Sequence, residues 1–384
     1  MTTLLKKITE HETLGSISDL IFPVSNTYNF SGKEEVVFIN TGDVYEGKFL
    51  HNNYSQVAKL PGQAKKIIEP GDILFSEIRP KNRHFALVDF DSKDYVVSTK
   101  LIVFKVRDGV DPKFAYIVLT ADKNLLEFQN IAESRSGTFP QITFDSIAEF
   151  EVKLPDLPNQ KKIAEILSAY NTKIENNNSI IKKLEVAAQT QFDEWFVNFR
   201  FPGYENMKFV DSEMGEIPEG WEIKSVLDVI ERISPGKKYD NKSASPSGAV
   251  PILDQGASGF IGYHNDEPGV VASIDKPVVV FTNHTCYYRI LTEPFSCIQN
   301  VLPYVGKNGY DTFFVYFLTK EKIKMSEYKG HWPEFEQQVF AIPTPDLANK
   351  FSKLAKVFIE KIVSYEKENI LLKSQRDRLL AKLI

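Results

Sequence analysis

Two stretches of this chain carry an apolar stripe whose steps alternate between four residues and three, and no other feature restricts the possible folds as much. In the stretch that opens LPNQKKIAEILSAYNTKIENNNSIIKKLE, the stripe is Ile163, Leu167, Tyr170, Ile174, Asn177, Ile181, Leu184, Ala188, Gln191 and Trp195. In DLANKFSKLAKVFIEKIVSYEKENILLKSQRDRLLAKLI it is Phe351, Ala355, Phe358, Ile362, Tyr365, Asn369, Leu372, Arg376, Leu379 and Leu383. An average step of 3.5 is the period of a coiled-coil seam. Two exposed stripes of this size would invite association, so each is expected to cover the other. Asn177, Tyr365 and Asn369 interrupt the seam with polar groups, which cost stability and tend to fix register. A helix of about 37 residues is roughly 55 Å long at 1.5 Å per residue.

The segments before the two helices look like copies of each other. FPQITFDSIAEFEVKLPDL answers to WPEFEQQVFAIPTPDL, KFAYIVL to TFFVYFL, GDILFSEI to KPVVVFTNH, LGSISDLI to IKSVLDVI and INTGD to ILDQGA, in the same order in both halves. Short strands dominate each lobe: VVFI, DILF, YVVST and LIVFKV in the first, VPIL, VVVF and YYRIL in the second. Each lobe has one helical stretch, near FAYIVLTADKNLLEFQ or FFVYFLTKEKIKMSEY, and FRFPGYENMKFVDSEMGEIPEGW reads as the linker between halves. The expected fold class is α+β. It has a first lobe over 1–155, a central spacer helix over 156–200, a second lobe over 201–345 and a C-terminal spacer helix over 346–384. Two-fold pseudo-symmetry makes the helices an antiparallel coiled coil between two mixed α/β lobes.

Composition removes several function classes. At 384 residues the chain exceeds one compact core. The longest apolar run, PVVVF, is far short of a membrane span, and the N-terminus shows no signal-peptide pattern, so a cytoplasmic protein is expected. Two cysteines give no disulfide framework. A formal charge of −5 argues against a protein that coats nucleic acid indiscriminately, yet RPKNRH and SPGKKYDNK supply local basic loops.

No catalytic site and no metal site is expected. There is no Asn-Pro-Pro-aromatic or Asp-Pro-Pro-aromatic segment to grip a flipped base, and no glycine-rich strand-to-helix turn for a nucleotide cofactor. Asp145, Glu151 and Lys153 imitate a nuclease trio but read better as a charged final strand. His284, Cys286 and Cys297 match no common zinc spacing and lack a fourth ligand.

The lobe-helix-lobe-helix layout resembles the specificity subunit of type I restriction-modification enzymes over essentially the whole chain. The resemblance rests on LPDLPNQKKIAEILSAYNTKIENNNSIIKKLE, QTQFDEWFVNFRF, MGEIPEGWEIKSVLDV and LLKSQRDRLLAKLI. It implies that each lobe is a target-recognition domain reading one half of a split, asymmetric sequence in double-stranded DNA. It also implies that the helices space the domains and dock two adenine methyltransferase subunits, with restriction subunits joining for cleavage. The chain itself is then non-catalytic and binds no cofactor; S-adenosylmethionine, ATP and Mg belong to the partners. The alternative is a two-lobed coiled-coil scaffold for protein partners that binds no DNA.

Base edges are read by polar side chains on loops, with cations on phosphates setting the register. In the first lobe the candidates are Thr41, Asp43, Arg79, Lys81, Asn82, Arg83, Arg135, Ser136, Thr138 and Gln141. In the second they are Lys237, Lys238, Tyr239, Asn241, Lys242, Gln255, Ser258, Asn283, His284, Thr285, Lys329, His331 and Trp332.

Overall fold

The computed structural model describes residues 13–135, 138–256, 259–327 and 329–383. The candidates Ser136 and Ser258 lie outside the described residues. The chain divides into two compact units: Met1–Glu175 with Ile370–Ile384, and Asn176–Asn369. The division falls inside the long helices Leu157–Phe196 and Pro345–Leu383, so each unit is a lobe plus a portion of both helices.

In the first unit one four-stranded antiparallel sheet has the order Ile21–Val24, Leu101–Val106, Ile73–Ser76, Phe85–Leu87. The second sheet has the order Tyr54–Gln56, Glu35–Ile39, Tyr95–Ser98, Ala64–Ile67, and its two central strands run parallel. The strand Ile73–Ser76 is apolar on both faces because both are covered. Ile73 and Phe75 enter the core built with the helices, while Leu74 points into the core between the sheets.

The second unit repeats this plan. Ile230–Arg232, Val301–Gly306, Val278–Thr282 and Tyr288–Leu291 form the antiparallel sheet, and Val279 and Phe281 face one core while Val278 and Val280 face the other. Lys238–Tyr239, Ser296–Ile298, Val250–Leu253 and Phe260–His264 form the second sheet. Both units also pair the strand entering the lobe with the strand leaving it: Thr13–Ser16 with Glu151–Leu154, and Glu222–Ser225 with Val339–Ile342. The collinear sequence matches therefore correspond to equivalent elements.

The copies differ in an edge strand of the second sheet, antiparallel to its neighbour in the first unit and parallel in the second, and in one helix. Asp122–Arg135 is helical in the first unit because Leu125, Phe128 and Ala132 bury one face of it. The helical expectation through KEKIKMSEY is corrected: the helix of the second unit ends at Thr319. Among the described residues of that stretch, which leave out Tyr328, Ile323 alone is buried, Met325 is 52% exposed and Glu321 takes a left-handed φ of 59°, so they offer no apolar face to hold another turn. The passage read as a linker is also corrected. It contains a hairpin, Phe209–Ser212 with Gly215–Pro218, and it buries Phe201, Ile217 and Trp221 in the core of the second unit. The rings of Phe201 and Trp221 stack at 5.7 Å.

Within each unit the helices pair antiparallel. In the first, Ile163 and Leu167 share a core with Leu379 and Leu383, Arg376 donates to Asn171 Oδ1 at 2.9 Å, and Ile174 is buried with Tyr170 and Leu372 half-buried. In the second, Ala188, Phe192 and Trp195 pack with Phe351, Ala355 and Ile362, and Ile181, Leu184 and Phe358 lie against that cluster while Tyr365 is half-buried. Asn177, fully buried, donates through Nδ2 to Glu368 at 2.8 Å and to Asn369 Oδ1 at 3.0 Å; Asn369 donates to Asn178 at 2.9 Å. Asn177 Oδ1 has no hydrogen-bond partner among the described residues. Relieving a buried unsatisfied acceptor is worth about 1–3 kcal/mol. The pair Asn177→Leu with Asn369→Leu is therefore expected to raise the unfolding free energy by roughly that amount, whereas Asn177→Leu alone removes the donor to Asn369 and gains less. Denaturant titration of both variants checks the order.

Candidate nucleic-acid interface

In the first unit three polar segments distant in sequence meet around the turn Arg79–His84. On one side Glu46 N–H donates to Arg83 O at 2.9 Å, Gly47 N–H to Phe85 O at 2.9 Å, and His84 Nδ1 lies 2.8 Å from Val44 O. On the other, Arg79 N–H donates to Pro140 O at 3.1 Å, Ile142 N–H to Glu77 O at 2.9 Å, and Ile78 bridges Gln141. The structure thus joins the candidates at 41–43, 79–83 and 138–141 into one surface.

The turn is strained where it bears charge. Arg79 and Arg83 flank the single 3-10 turn Pro80–Asn82 with φ of 45° and 58°, a region non-glycine residues rarely occupy. Arg79 is exposed and its guanidinium has no partner among the described residues, and Asn82 is exposed beside it. The other cations are engaged. Arg83 contacts Asp122 at 2.5 Å and Glu46 at 3.4 Å; burial, the largest single effect, opposes its charge, but the bond to Asp122 together with the charges of Asp122 and Glu46 raises its pKa. Lys81 pairs with Glu133 at 3.6 Å, and its N–H donates to Gln129 at 3.2 Å. Asp43 accepts from Asn40 N–H at 2.8 Å and approaches His51 at 3.4 Å, so it closes its own turn. Thr41 is half-buried, and Arg135 and Thr138 are exposed.

In the second unit strand direction brings the segments together. Lys238–Tyr239 and Val250–Leu253 both run parallel to Ser296–Ile298, so the turns after them leave the same sheet edge. Asn300 O at that edge accepts Asn283 N–H at 2.9 Å and carries the turn Asn283–Thr285 with it. Lys238, Asn241 and Lys242 are exposed there. Lys237 pairs with Asp266 at 2.9 Å, which raises the pKa of the lysine and lowers that of the aspartate; the pair offers a phosphate no net charge.

Several candidates of this unit are corrected to structural roles. Tyr239 is buried, stacked on His264 at 4.1 Å and bonded to Asp266 at 3.0 Å. His331 is fully buried, with Nδ1 at 2.8 Å from Glu334 and Nε2 at 3.1 Å from Glu327 O. Trp332 is buried, stacked on Phe335 at 4.8 Å, and bonds Glu336. Rings so enclosed cannot meet a duplex. Lys329 sits between Glu327 and Glu334 at 2.8 Å each, and those bonds raise its pKa. Asn283 Oδ1 accepts from Trp332 N–H at 2.8 Å, Gln255 Oε1 from His284 N–H at 3.0 Å, and Gln255 O from the Thr285 hydroxyl at 2.5 Å. These groups brace the turns that carry them.

Sequence reasoning missed the acids Glu46, Glu133, Asp122 and Asp266, which neutralise the basic loops, and Arg289, which braces a turn from below. None sits in a cluster, so spacing held no signal of them. Among the described residues no three His, Cys, Asp or Glu side chains converge as metal ligands. Cys297 donates to Val301 O, and burial pushes its thiol up to about 11. Glu151 and Lys153 lie on a paired strand, and Lys153 Nζ donates to Lys382 O at 2.9 Å. No helix among the described residues is long and apolar enough to cross a membrane.

Residues 14–186 match the family model of the type I restriction modification DNA specificity domain. Over 185 residues the chain is 47% identical to the type I restriction enzyme HindI specificity subunit of Haemophilus influenzae, covering 48% of this chain and 40% of that protein. It is 25% identical over 303 residues to the MjaIX specificity subunit of Methanocaldococcus jannaschii, covering 72% and 69%. The crystal structure of a type I restriction-modification S subunit from M. genitalium has a similar fold, with TM-score 0.56 at 17% identity over 98% of this chain and 97% of that one.

Proposed function

We propose that the chain is a type I restriction-modification specificity subunit, the sequence-reading component of such a system, and recognises an asymmetric split target in double-stranded DNA; the family model over residues 14–186 and the 47% identity to the HindI specificity subunit support the reading. One observation carries the reading: two units repeat one scaffold while the turns at equivalent sheet edges carry unlike side chains. Glu35–Ile39 leads into Asn40–Asp43 in one unit, and Val250–Leu253 leads into Asp254 and Gln255 in the other. A shared frame whose turns differ in shape and in the side chains that brace them suits two different half-sites. The chain supplies no reacting group in this reading. Two adenine methyltransferase subunits bring S-adenosylmethionine, and restriction subunits bring ATP and Mg, while the paired helices set the unread gap between half-sites.

The exposed side chains Arg79, Asn82, Arg135, Thr138, Lys238, Asn241 and Lys242 are the contacts proposed to remain from the longer set. The acidic total of −5 is tolerable because Asp and Glu side chains neutralise cations away from these positions and leave positive charge local.

Methylation sequencing of host DNA carrying the assembled system tests the reading. One split motif with two unlike halves is expected; a continuous or self-complementary motif would overturn it. Arg79→Ala is expected to weaken binding or methylation about 10–100-fold, the loss of about 1–3 kcal/mol for one base contact, with discrimination relaxed in one half only. Equal loss on every sequence would make Arg79 a phosphate contact instead.

A further inference from the structure

We propose that Arg289 is the positioning residue for the DNA-reading turn that follows Val250–Leu253, and that base discrimination by the second unit depends on it. The inference rests on the reading just given.

Arg289 lies on the strand Tyr288–Leu291, opposite Val280. Its guanidinium reaches under the turn and, among the described residues, donates to main-chain carbonyls: Nη2 to Gly256 O at 2.5 Å, Nη1 to Gly259 O at 3.2 Å and to Asp254 O at 3.5 Å. The fit is tight on both sides. A Cβ on Gly259, whose φ is +95°, would sit 3.3 Å from Arg289 Cζ, and a Cβ on Gly256 would meet Asp254 Oδ2 at 2.9 Å. The turn is tethered a second time through Gln255, to His284 N–H and to the Thr285 hydroxyl. Backbone carbonyls at 254, 255, 256 and 259 are thus all fixed by side chains or turns of the neighbouring hairpin. A planar fork can hold three diverging carbonyls at once, whereas a lysine ammonium, a point donor, cannot reproduce that geometry.

The first unit provides the contrast. There Arg83, in the turn between the equivalent strands, is neutralised by Asp122 and Glu46. Among the described residues no carboxylate is ion-paired with Arg289: Asp254, whose Oδ1 is buried there without a hydrogen bond, favours the arginine's charge from a distance, while burial lowers its pKa by more without discharging it. The second unit therefore keeps a half-buried positive charge directly beneath the turn proposed to face DNA. Such a group both shapes the turn and favours a polyanion above it.

The test uses the full chain in its assembled system, comparing the methylated motif of wild type, Arg289→Lys and Gln255→Ala. Arg79→Ala identifies the half read by the first unit. Arg289→Lys is expected to leave that half and the gap unchanged, to make at least one position of the other half degenerate, and to lower occupancy of the parent motif about tenfold or more, as loss of one base contact would. Gln255→Ala, which removes the side-chain bond to His284 N–H and keeps the main-chain bond to the Thr285 hydroxyl, is expected to blur the same position more weakly. Thermal unfolding of each purified chain is read alongside. If Arg289→Lys fails to fold, the motif of Gln255→Ala decides. An unchanged motif at unchanged occupancy, or a loss spread evenly over both halves, would overturn the inference. A wild-type system with no split motif would instead overturn the reading of function.

Discussion

Replacing Phe351 by alanine is expected to lower the unfolding free energy of the unit Asn176–Asn369 by about 3–5 kcal/mol, the range for a fully buried phenylalanine. The ring is 1% exposed. It meets Phe192 at 5.4 Å, Trp195 at 6.0 Å, Phe196 at 5.3 Å and Phe317 at 5.4 Å, mostly edge to face. Such geometry adds to the value of the buried area. The four partners come from the first long helix and from the lobe helix Thr312–Thr319, so none can move into the vacated space without leaving its own contacts. Leu354, on the same helix and 43% exposed, is the control, and its change to alanine is expected to stay within about 0.5 kcal/mol. Denaturant midpoints at constant slope check both. A loss below about 1.5 kcal/mol for Phe351→Ala would mean that the aromatic cluster collapses around the gap.

Exchanging the whole unit Asn176–Asn369 for that of a relative is expected to replace one half of the methylated motif and leave the other half intact. The boundary matters for a physical reason. Exchange of 201–345 alone leaves Phe192, Phe196 and Phe351 facing a foreign lobe, although these rings share one core with Phe201, Trp221 and Phe314. That narrower exchange is expected to yield much less folded protein, because core volumes rarely match across such a cut. Moving the helix portions together with the lobe keeps the core whole. Methylation sequencing and soluble yield of the two exchanges distinguish them. A motif that changes in both halves would contradict the assignment of one half-site to each unit, and an unchanged motif with altered partner choice would favour the scaffold reading.

The fold was largely legible because its signals are local. The alternating four-three stripe marks both helices, and the runs DILF and VVVF mark strands covered on two faces. Collinear short matches revealed the duplication that the sheets repeat. The missing helix after Thr319 was not legible from composition alone, since charged residues with one or two apolar neighbours stay helical only when a core receives their face. The hairpin inside the supposed linker was hidden similarly: Pro and Gly marked its turns, while Phe201, Ile217 and Trp221 tied it into a core that also takes in Phe281, Phe314 and Phe351 from far along the chain.

The candidate interface was legible in the sequence as basic turns, and much less in detail. Basic turns stand out in a sequence, but whether their charge is free depends on acids far along the chain. Arg83 meets Asp122, Lys81 meets Glu133 and Lys237 meets Asp266 only after folding. Burial divides Trp332 and His331 from Lys238 and Asn241 in the same way, since all four lie in polar, turn-rich text.

The sequence by itself determined the periods, and with them two seamed helices, strand-rich lobes and their repetition, because hydrophobic spacing acts between near neighbours and survives without knowledge of any partner. Tertiary structure alone decided which charges remain uncompensated and which turns are braced, as at Arg79 and Arg289. Electrostatic pairing and burial are set by distances through space, and these come into being only when the chain has closed on itself.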